Sequence, residues 1–183
     1  MPAQEWMAGL PPFVTADGTA VTASATLTEL TPTPQVVLPY PMLGEFAGKR
    51  LEFVAWGHYT TTATQGTITF DLRVGAAGAI GSMTSVAASS ALTWVASQTN
   101  RFWHIEGSLQ VRSLGSAGTC VGFADLSNFV SGATDVAGVI MGTTAGSTAA
   151  IDTTQARAIA LGVTLSVASQ SITCRYFGVR SIN

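Results

Sequence analysis

The sequence predicts an all-β protein: an antiparallel β-sandwich, jelly-roll-like, with an extended proline-rich N-terminal arm. Three observations carry this. Residues 66–75 alternate without an error, with Ile68, Phe70, Leu72 and Val74 on one side and Thr67, Thr69, Asp71 and Arg73 on the other. That period of two marks a half-buried strand. The same period returns at 50–58, 102–112 and 159–167, each time between turns rich in Gly, Ser and Thr. Charged residues make up only 10% of the chain, against about a quarter in ordinary soluble domains, and helical periodicity is almost absent.

The 183 residues give room for one sandwich and an arm but not for two ordinary domains. All seven prolines fall within 1–48, and proline removes a ladder donor, so this segment reads as extended arm, edge strand and turn. Residues 1–48 are therefore assigned to the arm, with short strands expected at Ala20 to Thr28 and Gln35 to Leu38; residues 49–183 form the sandwich. The first sixteen residues carry Trp6, Met7, Leu10 and Phe13 without a core of their own. Two readings stay open: an arm folded back on its own domain, or one lying on a neighbouring subunit.

Residues 50–75 read as a hairpin. If Leu51, Phe53 and Ala55 share a face with Phe70, Leu72 and Val74, one register sets Glu52 opposite Arg73 as a cross-strand ion pair. Residues 76–100 are small and polar, a long connection with one weak strand, followed by Leu92 to Ala96. The strand at 102–112 is clearer: Trp103, Ile105, Leu109 and Val111 alternate with His104, Glu106, Ser108 and Gln110. The turn at Ser113 to Gly118 supplies its partner, Thr119 to Ala124. A glycine-rich loop over 125–150 is expected to hold a short strand, Val136 to Met141. A closing hairpin is expected between 159–167 and 172–179, with Leu165 beside Cys174 and Val163 beside Tyr176. In that register Phe177 and Val179 fall on the opposite face, so both faces need cover, from the second sheet or from a neighbouring subunit.

Composition narrows the function. Mean hydropathy is +0.38, yet no run approaches the ~18 apolar residues of a spanning helix. Outer-membrane barrels also alternate, but these strands lack an aromatic girdle. The N-terminus has neither the basic region nor the apolar core of a secretory signal. A net charge of −2 with Lys49 and seven scattered arginines argues against nucleic-acid binding, which needs clustered cations. Cys120 and Cys174 read as small buried core residues; a disulfide between them stays open, because the sequence does not say whether their strands are neighbours.

Chemistry finds little support. His58 and His104 lie on strands; Asp71 and Glu106 are conceivable companions, but no metal-ligand spacing links them. There is no Gly-x-Ser-x-Gly elbow, no phosphate-binding loop with its lysine and no paired carboxylates. No catalytic residue, cofactor or metal is assigned. Trp6, Trp56, Trp94 and Trp103 read first as core or interface packing. A surface of Thr, Ser, Ala and Gly is cheap to desolvate, as the cores of interfaces are. It points to a permanent oligomer or a component of a larger shell.

The succession Gly66-Thr67-Ile68-Thr69-Phe70-Asp71-Leu72-Arg73, then Trp103 to Arg112, then Leu161-Gly162-Val163-Thr164-Leu165-Ser166 leading into Ser171-Ile172-Thr173, resembles short virion proteins of tailed bacteriophages. There a "GTLTF-LR-G" hairpin, a "G-L-VR--G--GT" hairpin and a closing "VTWS-AS-SNSIT" hairpin build a jelly roll. The resemblance spans about 45–182 and leaves the arm unmatched; Leu165 stands where that pattern often has tryptophan. It implies a structural role as decoration (cement), head-spike or minor tail protein, commonly trimeric. Capsid decoration is the reading chosen, on the exterior of a virion assembled in the host cytoplasm. The expected partners are copies of itself and the major capsid protein, with no nucleic acid and no membrane. Trp6, Leu10, Phe13, Trp56, Phe177 and Val179 are the expected contact residues. The rival is a tail or head-fibre module recognising host glycans through Trp56, Trp94 or Tyr59.

Overall fold

A computed structural model describes residues 17–22, 24–127, 129–131, 134–136, 139–142 and 148–182. The strands run in the order β1 (Val21–Thr22), β2 (Thr28–Glu29), β3 (Val36–Leu38), a one-turn helix α1 (Tyr40–Gly44), β4 (Arg50–Thr60), β5 (Thr67–Gly75), β6 (Thr84–Ala88) and β7 (Leu92–Thr93). They continue as β8 (Arg101–Ser113), β9 (Thr119–Ser127), β10 (Phe129–Ser131), β11 (Thr134–Val136), β12 (Val139–Gly142), β13 (Ala149–Ala150), β14 (Arg157–Leu165) and β15 (Ser171–Ser181). The all-β antiparallel sandwich expected from the alternation is present.

All pairing is antiparallel; ten strands follow one path, β1-β15-β4-β8-β9-β12-β6-β5-β14-β2, while β3 pairs with β14, β7 with β5 and β13 with β9, and β10 and β11 form a two-stranded sheet of their own. The path folds into two facing layers, β15-β4-β8-β9 and β6-β5-β14, with β12 bridging them. Its two edges are drawn together by the segment that runs from β1 to β2. Gly18 N–H donates to the Cys174 carbonyl, Leu165 N–H to Ser24 and Leu30 N–H to Leu161, each at 2.8 Å. The sheet is thereby nearly closed, which leaves little free edge. Four pairings are nested, first with last: β4 with β15, β5 with β14, β6 with β12 and β8 with β9. That is how the strands of a rolled-up ribbon, a jelly roll, pair.

The core lies between the layers. Leu51, Phe53, Ala55 and Tyr59 of β4 and Trp103, Ile105, Leu109 and Val111 of β8 meet Ile68, Phe70, Leu72 and Val74 of β5 and Ile159, Leu161, Val163 and Leu165 of β14. Phe70 and Trp103 touch across it at 5.7 Å. The Trp103 indole N–H donates to the Thr173 carbonyl at 3.3 Å, so the largest core residue of β8 leaves no unsatisfied donor. Cys120 and Cys174 are both buried and free, as the core reading expected.

Two expected hairpins do not form. β4 and β5 lie in opposite layers, so Glu52 never meets Arg73: Glu52 accepts from Arg180 Nε at 2.7 Å, and Arg73 pairs with Asp71 at 2.8 Å. Strands with one apolar face satisfy burial equally well face to face as side by side, and here they stack. Likewise β14 and β15 belong to different layers, Leu165 opposite Ile68 and Cys174 opposite Gly57. By contrast β8 and β9 pair as expected, Leu109 opposite Gly122 and Val111 opposite Cys120.

The reading of Phe177 and Val179 fails for a local reason. The β4–β15 register shifts between Cys174 and Tyr176. This bulge inserts Arg175 and reverses the parity of all that follows. Phe177 then lies opposite Ala55 and Val179 opposite Phe53, on the same core face as Ile172 and Cys174. Phe177 is fully buried in its own core, and Val179 is partly buried against it. Neither presents an outward contact surface.

The two outer faces differ. On the β5–β14 side, Ala158 and Ala160 are covered by Ile80, Met83 and Leu27. Gly162 lets this cover approach: a β-carbon there would lie 2.6 Å from Ile80 and 2.8 Å from Leu27. Arg73 pins the cover by donating to the Met83 carbonyl at 2.9 Å, while Asp71 accepts from Arg73 and from Ser85 at 2.6 Å. The β15-β4-β8-β9 side has no comparable apolar cover among the described residues.

Candidate functional site: an aromatic outer face

The uncovered face is assembled by cross-strand rows. Alternation on β4 sends Glu52, Val54, Trp56 and His58 outward, each half-buried, while Leu51, Phe53, Ala55, Gly57 and Tyr59 point inward. Tyr176, Trp56, His104 and Ser127 form one row across four strands, and Thr173, His58 and Phe102 form the next. Side chains in such rows stand within contact of one another.

The rings follow from this register. Trp56 stacks on Tyr176 at 5.8 Å with planes 10° apart and lies 6.1 Å from Phe102. Phe102 meets His58 edge-on at 6.1 Å and lies nearly parallel to His104 at 6.5 Å. Five rings thus form one continuous cluster. Phe102 is 41% exposed, and Phe123 on the adjoining β9 is 50% exposed. His104 Nδ1 shares a hydrogen bond with Ser127 Oγ at 3.1 Å; His58 Nδ1 is buried without a partner among the described residues.

Charge sits at the rim. Arg50 and Arg180 flank Glu52, Arg175 pairs with Asp17, and Glu106 lies opposite Asp125 on the far side. An apolar centre with a charged border has the layout of a protein contact surface.

The remaining candidates are dispersed. Trp6, Leu10 and Phe13 lie outside the described residues. Trp94 and Tyr59, offered for sugar stacking, are buried and pack on each other at 4.9 Å. Only Trp56 of that trio reaches the outer face, and Tyr176 occupies one of its ring faces. Asp71 is on the other layer from the histidines and is engaged by Arg73 and Ser85. Among the described residues no three His, Cys, Asp or Glu side chains gather as metal ligands, and no helix is long and apolar enough to cross a membrane.

The two cysteines offer no ready nucleophile. Burial pushes the thiols of Cys120 and Cys174 up to about 12, which keeps them protonated and inert at neutral pH. The Asp152 carboxyl is lowered chiefly by hydrogen bonds from the Thr154 hydroxyl and backbone N–H, with Arg157 adding to the effect; these contacts fasten the turn before β14. Sequence reading missed Phe102 and Tyr176. Phe102 shares the parity of His104 and Glu106 and was legible as outward-facing; Tyr176 was hidden by the bulge.

No protein-family model, curated protein or solved structure matches this chain.

Proposed function

We propose that this chain is a virion structural protein of a tailed bacteriophage, a capsid decoration protein that self-associates, as a trimer, and bridges major capsid subunits. One observation carries the reading: among the described residues, the sandwich covers one outer face with its own chain and leaves the other as an aromatic cluster. A charge-poor protein that exposes stacked rings gains by burying them against another surface. Trp56, Tyr176 and Phe102 serve as anchors, because aromatic side chains at the centre of a contact supply most of its energy. The rim charges around Glu52 and Glu106 set register and exclude wrong partners. The phage assignment draws on the strand-pattern resemblance, and the preference for packing over sugar binding on the burial of Trp94 and Tyr59.

The test is direct. Purified protein is added to undecorated phage shells, and the bound copies are located and counted by electron cryomicroscopy. Hundreds of copies at fixed lattice positions, lost in Trp56→Ser, are expected. Absence of lattice binding, together with Trp56-dependent binding on a glycan array, would replace this reading with that of a tail or head-fibre module.

A further inference from the structure

Sixteen residues precede the first described one. They carry Trp6, Met7, Leu10, Pro11, Pro12 and Phe13, with Glu5 the only charged side chain. The chain joins the fold at the edge of β15: Gly18 N–H donates to the Cys174 carbonyl at 2.8 Å, Asp17 pairs with Arg175, and β1 runs along Ile172 and Ser171. The next β15 residue is Tyr176, the first ring of the uncovered cluster.

We propose that the aromatic outer face of one copy seats residues 6–13 of the N-terminal arm of a second copy. This rests on the self-association reading and names the segment that performs it. Chemistry matches the two parts. Leu10-Pro11-Pro12-Phe13 carries two prolines in succession, and a proline fixes its own backbone and restricts the residue before it. Proline-rich extended segments dock in aromatic-lined grooves, where they lose little entropy on binding. The prolines also lack the N–H groups that adding a strand to a sheet edge requires, which directs the segment to a face of side chains.

The starting point of the arm and its reach permit a seat on a second copy. β1 is hydrogen-bonded to β15 as its outer neighbour, so the described chain begins along the edge of that strand. From Asp17 to Trp6 an extended chain covers up to ~36 Å, whereas the ring cluster spans two strand spacings, roughly 10 Å. Area calls for the arm: a stable contact hides about 800 Å² per partner, and Trp6 and Phe13 each bring about 150–250 Å² to it.

The experiment uses full-length chains. One population carries Val14→Cys, just beyond the docking segment, another Glu106→Cys on the exposed rim of the cluster, and the native thiols are buried. The two are mixed and treated with a short bis-maleimide. The expected result is a covalent dimer in the mixture, at least tenfold above either population alone, and reduced at least fivefold when Trp56→Ser is added to the Glu106→Cys chain. Cross-linking only within a chain that carries both cysteines would overturn the proposal in favour of an arm folded on its own face. No cross-link, with the unaltered protein oligomeric by light scattering, would overturn it and leave self-association standing. No cross-link and a monomer would remove both.

Discussion

Raising the pH above 9 should destabilise this protein through its two buried thiols. Cys120 and Cys174 have an ordinary value of 9.0, and burial pushes both up to about 12. The unfolded chain therefore releases these protons from pH 9 upward, while the fold holds them until about 12. Where the folded value is the higher one, the stability contribution is complete below the unfolded value and is lost as pH rises through the folded one. Each thiol costs about 1.36 kcal/mol per pH unit in that window. At pH 10.5 this amounts to about 2 kcal/mol per thiol, or about 4 kcal/mol for the pair. Domains of this kind have only about 5–15 kcal/mol in total.

The assay is urea unfolding at pH 8 and pH 10.5, of the wild type and of Cys120→Ala/Cys174→Ala. The double variant starts weaker, because each truncation leaves a void in the core. What matters is the difference between the two pH values. Every other group is common to the two proteins, so its effect cancels. The wild type should lose about 4 kcal/mol more than the variant, a midpoint shift of about 2 M urea if the slope is about 2 kcal/mol/M. Equal losses in the two proteins would refute the argument that desolvation holds these thiols protonated.

The same burial should make both thiols react with iodoacetamide at pH 8 about a thousandfold more slowly than a free cysteine, as their thiolate fraction falls by that factor; mass spectrometry of native protein against urea-unfolded protein checks it. Gly57→Ala should cost at least about 3 kcal/mol, beyond the upper end of ordinary overpacking, since a β-carbon there would lie 1.9 Å from the Thr173 carbonyl oxygen. Gly81→Ala, with nothing within 4 Å, should stay within about 0.5 kcal/mol, both read from urea midpoints. Asp71→Ala should cost about 1–3 kcal/mol, because it removes a largely buried carboxylate that accepts from Arg73 and Ser85, while Arg73 keeps its bond to the Met83 carbonyl. Asp17→Ala breaks a pair whose side chains are 54% and 45% exposed and should cost under about 1 kcal/mol; thermal melts of the two variants side by side decide this.

Strands were legible because their signal is local; partners were not, because theirs is not. The alternation of Trp103, Ile105, Leu109 and Val111 fixes which side of β8 is buried whatever lies beside it, and the short turn before Thr119 leaves β9 as the natural neighbour. Between β4 and β5 the connection is equally short, yet it arches from one layer to the other. Thr61 N–H donates to the Gln98 carbonyl at 2.9 Å, and Trp94 N–H to Gly66 at 3.0 Å, so the connection is tied to residues 94–98 and not closed as a hairpin end. Nothing within 50–75 encodes that choice; it is made by the strands at the C-terminal end of the chain, β14 and β15, which take the places a hairpin partner would have filled. The aromatic face was obscured by a subtler effect. Read with unbroken alternation, Ile172, Cys174 and Tyr176 share a side, and Phe177 and Val179 look outward. One inserted residue, Arg175, exchanges the two sets: Phe177 enters the core, and Tyr176 turns out to stack on Trp56. A bulge costs the sequence pattern only one position, but in a strand whose side chains alternate that position decides which residues can touch another molecule. The bulge that hides the site from the sequence is therefore also what builds it.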